Sequence, residues 1–202
     1  SRIEAARHAN PLTLLPGNFP ITQHLERMLS GRTPFVLAYA DLNHFKPFND
    51  RYGFWKGDDI ILKTAACIRE QMDLLHDFLG HVGGDDFVLV MQSSDGLPRL
   101  HRMAQSVNDA VATMYPDADR AAGGIEAEDR FGVRRFFPMV TLSFGVVTVM
   151  GSCAMDLAEL TSAVADAKKR SKEPGQSIVV DTCCPTAAHV LPFAHPTASC
   201  LH

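Results

Sequence analysis

Long apolar runs, a basic stripe and paired-cysteine motifs are all missing from this sequence, and each absence removes a class of function. The longest apolar stretch, "MVTLSFGVVTVM" at residues 139–150, is too short to span a bilayer and alternates as a strand does. The N-terminus lacks the basic-then-apolar layout of a signal peptide. Nineteen Lys and Arg are interspersed with 23 Asp and Glu for a net charge of −4, which leaves no footprint for nucleic acid or an anionic membrane. The expectation is a soluble, cytoplasmic domain with no nucleic-acid partner and no direct membrane contact. The five cysteines (Cys67, Cys153, Cys183, Cys184 and Cys200) form no C-x-x-C pair and have no histidines at zinc-finger spacing, so reduced structural thiols are expected. No internal repeat is evident.

What is present is a chain of 202 residues, 46% of them hydrophobic, enough for one domain with its own core. Turn signals at Asn10-Pro11 and Pro16-Gly17 close off a lead-in helix or linker over residues 1–20, with the domain proper over 21–181 and an irregular or disordered tail over 182–202. The chain opens on Ser1 rather than methionine, and the expectation is of a domain joined to upstream modules.

Periodicity predicts a helix over 21–30, a buried strand over 34–42 ending near Asp41, a long polar loop over 43–58 and a helix from Asp58 to about Met72. A hairpin with Gly83 and Gly84 at its bend follows, then a helix over 97–115. Residues 117–135 read as a hairpin or loop excursion. A strand carrying Val140, Leu142, Phe144 and Val146 comes next, then a last amphipathic helix and a short strand over 177–180. That order, β-α-β-β-α-β with an added helix and strand, predicts a ferredoxin-like α/β fold whose central sheet is of antiparallel type and flanked by helices.

The hairpin tip "GGDD" reads by itself as an ordinary solvated turn or as the edge of a site. If its strand pairs with the one ending at Asp41, then Asp41 and Asp85 meet at one sheet edge. Paired carboxylates favour a hard cation between them, and Mg²⁺ takes carboxylate and phosphate oxygens together. Glycines beside the acids would let a ligand approach the backbone. In the preceding loop Lys46 suits a phosphate, and Asn49 and Asp58 suit the polar edge of a base. Taken singly, the same residues read as a surface lysine, a turn residue and a helix N-cap.

The spacing of "DLNHFKPFNDRYGFWKGD" (41–58) and "GGDDF" (83–87) resembles the GGDEF family of diguanylate cyclases. The family pattern is D-x-D-x-F-K-x-x-N-D-x-x-G-H-x-x-G-D, then G-G-[DE]-E-F. "NPLTLLPGN", "VTLSFGVV" and "ADAKKRSKEPGQS" are similar to its D-x-L-T-G-L-P-N-R, S-x-G-V-A and A-L-Y-x-A-K-x-x-G-R-N segments. The resemblance covers about residues 8–181 and implies a nucleotidyl-cyclase-like fold. It further implies metal binding by Asp41, Asp85 and the Leu42 carbonyl, with Mg²⁺ as cofactor and Mn²⁺ able to stand in. Asp41, Asp85 and Asp86 take catalytic positions. Substrate contacts fall to Asn49 and Asp58 (guanine), Lys46 and Lys172 (phosphates), Gly83, Gly84 and Phe45. The implied partners are GTP, a second copy of the domain, and an upstream sensor or a phosphodiesterase domain in a longer chain.

Departures from the pattern are specific. Asp86 replaces a glutamate and shortens the reach by one methylene, about 1.5 Å in a chemistry where about 1 Å of misplacement costs on the order of 100-fold. Phe54 replaces histidine, Gln176 an arginine, Leu14 a glycine and Asn43 the second aspartate. "LLHD" at 74–77 stands where many members carry the R-x-x-D of a product-inhibition site, so inhibition through it is expected to be absent.

Overall fold

Alternation along β1 (Phe35–Asn43) sends Ala38, Ala40 and Leu42 to one face of a sheet and Phe35, Leu37, Tyr39 and Asp41 to the other. The computed structural model describes residues 7–129 and 131–183. Around β1 the sheet is completed by β2 (Phe78–Gly83), β3 (Asp86–Met91), β6 (Thr141–Val149) and β7 (Ile178–Cys183), in the order β2-β3-β1-β6-β7. All neighbours are antiparallel except β6 and β7. The first four strands in that order are the expected ferredoxin-like arrangement, and β7 is the added strand.

Each face takes its own helices. Ala38, Ala40, Leu42, Phe87, Leu89 and Phe144 pack with Ile60 and Ile68 of α3 (Phe54–Glu70) and Leu100, Met103 and Val107 of α4 (Gly96–Ala112). Leu37, Val88, Val90 and Val147 pack with Ile21 and Leu25 of α1 (Asn18–Ser30) and Leu160 and Val164 of α6 (Leu157–Ser171). A capping box between Asp156 and Glu159 starts α6, and its last turn carries Lys168, Lys169 and Arg170, the charge order that the helix dipole favours.

Several expectations are corrected. The predicted polar loop over 43–58 is mostly helical, with α2 (Phe45–Tyr52) in it and α3 starting at Phe54 rather than Asp58. The physical reason is aromatic: Phe45 and Phe48 are buried, and Phe48 and Tyr52 pack against each other and against Tyr115. The hairpin alternative for residues 117–135 holds, as a separate pair of β4 (Gly124–Glu128) and β5 (Arg134–Pro138), and the short helix before it, α5 (Asp117–Ala122), is unexpected. Reduced thiols hold for buried Cys67, but Cys153 and Cys183 are disulfide-bonded. The parallel register that sets Val149 beside Cys183 brings the turn after β6 within reach. Residues 1–6 and 184–202, including Cys184, Cys200 and nearly all of the predicted tail, lie outside the described residues.

Candidate functional site

The strand register makes the site. Ala40 of β1 pairs with Phe87 of β3, so the next residues, Asp41 and Asp86, face each other across the two strands on the side covered by α6. From α6, Lys168 reaches both, its Nζ 2.8 Å from Asp41 and 2.6 Å from Asp86. Lys172, one turn on, places its Nζ 2.5 Å from the other oxygen of Asp41. Asp41 is 4% exposed, so its carboxylate is largely shielded from solvent and its charge is met by two ammonium groups.

Electrostatics follow from that packing. Burial alone would raise Asp41, but hydrogen bonds from Lys168 and Lys172 outweigh it and hold its carboxyl below the usual range. Asp85 and Asp86 are raised, chiefly by burial and further by the charge of Asp41, while Lys168 pulls Asp86 the other way. Lys168 is raised because the two carboxylates overcome its own burial. The Tyr39 ring lies 4.4 Å under the Lys168 ammonium, and burial and Asp86 push its hydroxyl up to about 12.

The hairpin bend is built for approach. Gly83 and Gly84 have φ of 147° and 57°, and nothing in the protein would meet a Cβ at either. Its other support is His81, 1% exposed and stacked on Phe87 at 4.4 Å. Burial depresses its pKa, although the Gly84 carbonyl and Asp86 act in the other direction. In the neutral ring Nε2–H donates to the Gly84 carbonyl at 2.9 Å and Nδ1 accepts from the Thr13 hydroxyl at 2.8 Å.

The remaining predicted residues lie along α2 and α3. Asn49 and Asp58 sit inside helices, which removes the turn and N-cap readings. Asn49 is pressed against Gly57: a Cβ there would stand 1.8 Å from its Oδ1. That buried Oδ1 accepts no hydrogen bond among the described residues. Phe45 is buried in the core and Lys46 is exposed and paired with Asp50 at 2.5 Å, so neither joins the carboxylate cluster. Leu42 pairs with Leu142 in the sheet. Sequence reasoning missed Lys168 and His81. Lys168 was findable, because "AKKRSK" aligned on A-L-Y-x-A-K puts it where the pattern has leucine.

A sequence profile described as "Diguanylate cyclase, GGDEF domain" matches residues 8–177. The chain belongs to the GGDEF family. It is 27% identical over 176 residues to the probable diguanylate cyclase DgcT of Escherichia coli K12, a match covering 86% of this chain and 35% of that protein. It is 32% identical over 97 residues to the bifunctional diguanylate cyclase/cyclic di-GMP phosphodiesterase MucR of Pseudomonas aeruginosa, covering 46% and 14%. The chain thus spans about a third or less of these curated relatives. Among solved structures, the coiled coil and GGDEF domain of DgcB from Caulobacter crescentus, in complex with c-di-GMP, aligns with a TM-score of 0.66 at 19% identity, covering 89% of this chain and 88% of that one. Diguanylate cyclase SiaD, in complex with its activator SiaC from Pseudomonas aeruginosa, aligns at 0.65 and 22%, covering 90% and 64%. These structural likenesses establish the fold.

Within this GGDEF domain the variant positions take definite places. Leu14, standing for a glycine, has φ of 60°. Phe54 and Gln176 are exposed. Leu74 is 75% exposed, while the Asp77 side chain is fully covered and paired with Arg99 at 2.5 Å. Asp41, Asp85 and Asp86 are hard oxygen donors of the kind Mg²⁺ takes, so the donor set fits in kind. Among the described residues no group of three or more His, Cys, Asp or Glu side chains is arranged as a ready metal cage. No helix there is long and apolar enough to cross a membrane.

Proposed function

We propose that this domain binds GTP with Mg²⁺ and, as a dimer, condenses two GTP molecules to cyclic di-GMP in the cytoplasm. The observation that carries it is the convergence of Asp41 and the hairpin acids at one sheet edge beside two glycines without Cβ and the Lys172 ammonium. Asp41, Asp85 and the Leu42 carbonyl are the groups that would hold the cation, which when bound neutralises phosphate charge and favours loss of the hydroxyl proton. Asn49 and Asp58 accept from the N–H groups of guanine, and the unpartnered Asn49 Oδ1 suits that part. The triphosphate lies along Gly83 and Gly84, with Lys172 countering its charge and Lys46 reaching it from α2. One domain holds one nucleotide, so a second copy must present the other. Each 3′-hydroxyl then forms a bond to the partner's α-phosphorus as pyrophosphate leaves.

The test is incubation of the chain with GTP and Mg²⁺ at a concentration that populates dimers, with chromatographic detection of cyclic di-GMP. Product from the unmodified chain and none from Asp85→Ala is the expected result. Cyclic di-GMP should not inhibit through residues 74–77, where Leu74 offers no guanidinium and Asp77 is consumed by Arg99. A second reading is favoured by Asp86, which is shorter than the family's glutamate and tied to Lys168. On that reading the domain binds GTP without turnover and regulates a neighbour, such as a phosphodiesterase domain. GTP binding with no product would select it.

A further inference from the structure

Lys168 brings a charge into the carboxylate cluster at a position where the family pattern has leucine. Its side chain is 21% exposed and is fixed from three sides, by Asp41 at 2.8 Å, by Asp86 at 2.6 Å and by the Tyr39 ring at 4.4 Å. Its backbone is fixed as well. A Cβ on Gly145 of β6 would stand 2.1 Å from the Lys168 nitrogen, so α6 rests directly on the sheet at this residue. An ammonium held between two facing carboxylates does electrostatically what a divalent ion would do there: it screens their repulsion and fixes their distance. Leucine at this position could do neither.

We propose that the Lys168 ammonium is a built-in cation of this site, holding Asp41 and Asp86 together, so that a divalent ion gains the Asp41 carboxylate only by displacing it. The proposal rests on the nucleotide-site reading above and adds to it the expectation that a divalent ion binds weakly without nucleotide. Before an ion can bind, the lysine must leave two charge-assisted contacts and a ring face, and a positive charge must move away from the incoming dication. Lys172 does not impose the same cost, since its side chain is 45% exposed and holds a single oxygen of Asp41.

The experiment is Mn²⁺ binding by electron paramagnetic resonance, on the chain without nucleotide, for the unmodified protein, Lys168→Leu and Lys168→Arg. Lys168→Leu should bind Mn²⁺ at least about tenfold more tightly, because a like charge within a few Å of the ion has been removed. Lys168→Arg keeps the charge and should stay weak. Equal Mn²⁺ affinity in the unmodified protein and Lys168→Leu overturns the proposal. Should GTP and Mg²⁺ still bind in that case, the nucleotide reading stands without it; if no variant binds Mn²⁺ or GTP, both fall. An independent measurement needs no substitution: amine acetylation followed by mass spectrometry on the metal-free protein. Lys168 should be protected relative to its exposed neighbour Lys169, and equal labelling of the two overturns the proposal.

Discussion

Gly145 on β6 lies against the backbone of Lys168: a Cβ at position 145 would stand 2.1 Å from the Lys168 nitrogen and 2.5 Å from its Cα. The clash is with main chain, so no side-chain rotation relieves it. Gly145→Ala must push α6 away from the sheet at the point where its lysines reach Asp41. Overpacking of this kind costs about 1–3 kcal/mol. Urea denaturation should show that loss with little change in slope, and Lys168 should become open to amine-reactive labelling in the variant.

Leu14 is exposed and holds φ of 60°, where the family pattern has glycine. Left-handed backbone costs a residue with a Cβ about 1–2 kcal/mol. Leu14→Gly recovers part of that but adds freedom to the unfolded chain, so the expected net gain is about 1 kcal/mol. A thermal melt that rises by a few degrees checks it.

Much of the fold could be read from the sequence because alternation and helical spacing are local signals. β1, the glycine bend and α6 all emerge that way, and the pairing that brings Asp41 to the hairpin follows from the order of elements. α2 was hidden because its residues are polar on one side, and the aromatic contact that orders it comes from Tyr115, far along the chain. The candidate acids Asp41, Asp85 and Asp86 were picked out by spacing, and the structure brings Asp41 and Asp86 onto one lysine. That tie was not readable from spacing, because it depends on how closely α6 rests on Gly145 and on which way one lysine points.

His81 makes the stability of the hairpin depend on pH. Its pKa is lowered in the folded protein from 6.5, so the unfolded chain takes up more protons near that pH. Stability is therefore full above pH 6.5 and is lost as the pH falls from there through the folded-state value. His24 and His44 are lowered as well and act in the same direction. His81→Gln should flatten the fall of stability that sets in as the pH drops below 6.5. It should also cost about 1–3 kcal/mol at neutral pH by leaving the Gly84 carbonyl or the Thr13 hydroxyl poorly met. Chemical denaturation above and below pH 6.5 separates the two effects.

Gly57 tests the proposed guanine contacts separately from the fold. A Cβ there would meet the end of the Asn49 side chain, 1.8 Å from Oδ1, and Asn49 can yield by rotating. Alanine is also the better helix former by about 1 kcal/mol. Gly57→Ala should accordingly leave stability unchanged or slightly higher while weakening GTP binding by about tenfold or more, the cost of roughly one lost hydrogen bond to the base. Calorimetric titration with GTP beside a thermal melt distinguishes this from general damage.

Asp86 is where reach and charge meet. It faces Asp41 across the strands, its carboxylate is tied to Lys168, and it is one methylene shorter than the residue in the family pattern. If reach alone limits turnover, Asp86→Glu should raise the rate of cyclic di-GMP formation by about 10- to 100-fold, the scale on which about 1 Å of placement matters. If the lysine limits it, the longer carboxylate will simply remain paired, and only Asp86→Glu combined with Lys168→Leu should show the gain. Rates for the two single variants and the double variant, measured at saturating GTP over a range of Mg²⁺, separate the cases. A double variant faster than either single one at low Mg²⁺ is the result expected here, because both the missing length and the resident charge act on the same pair of carboxylates.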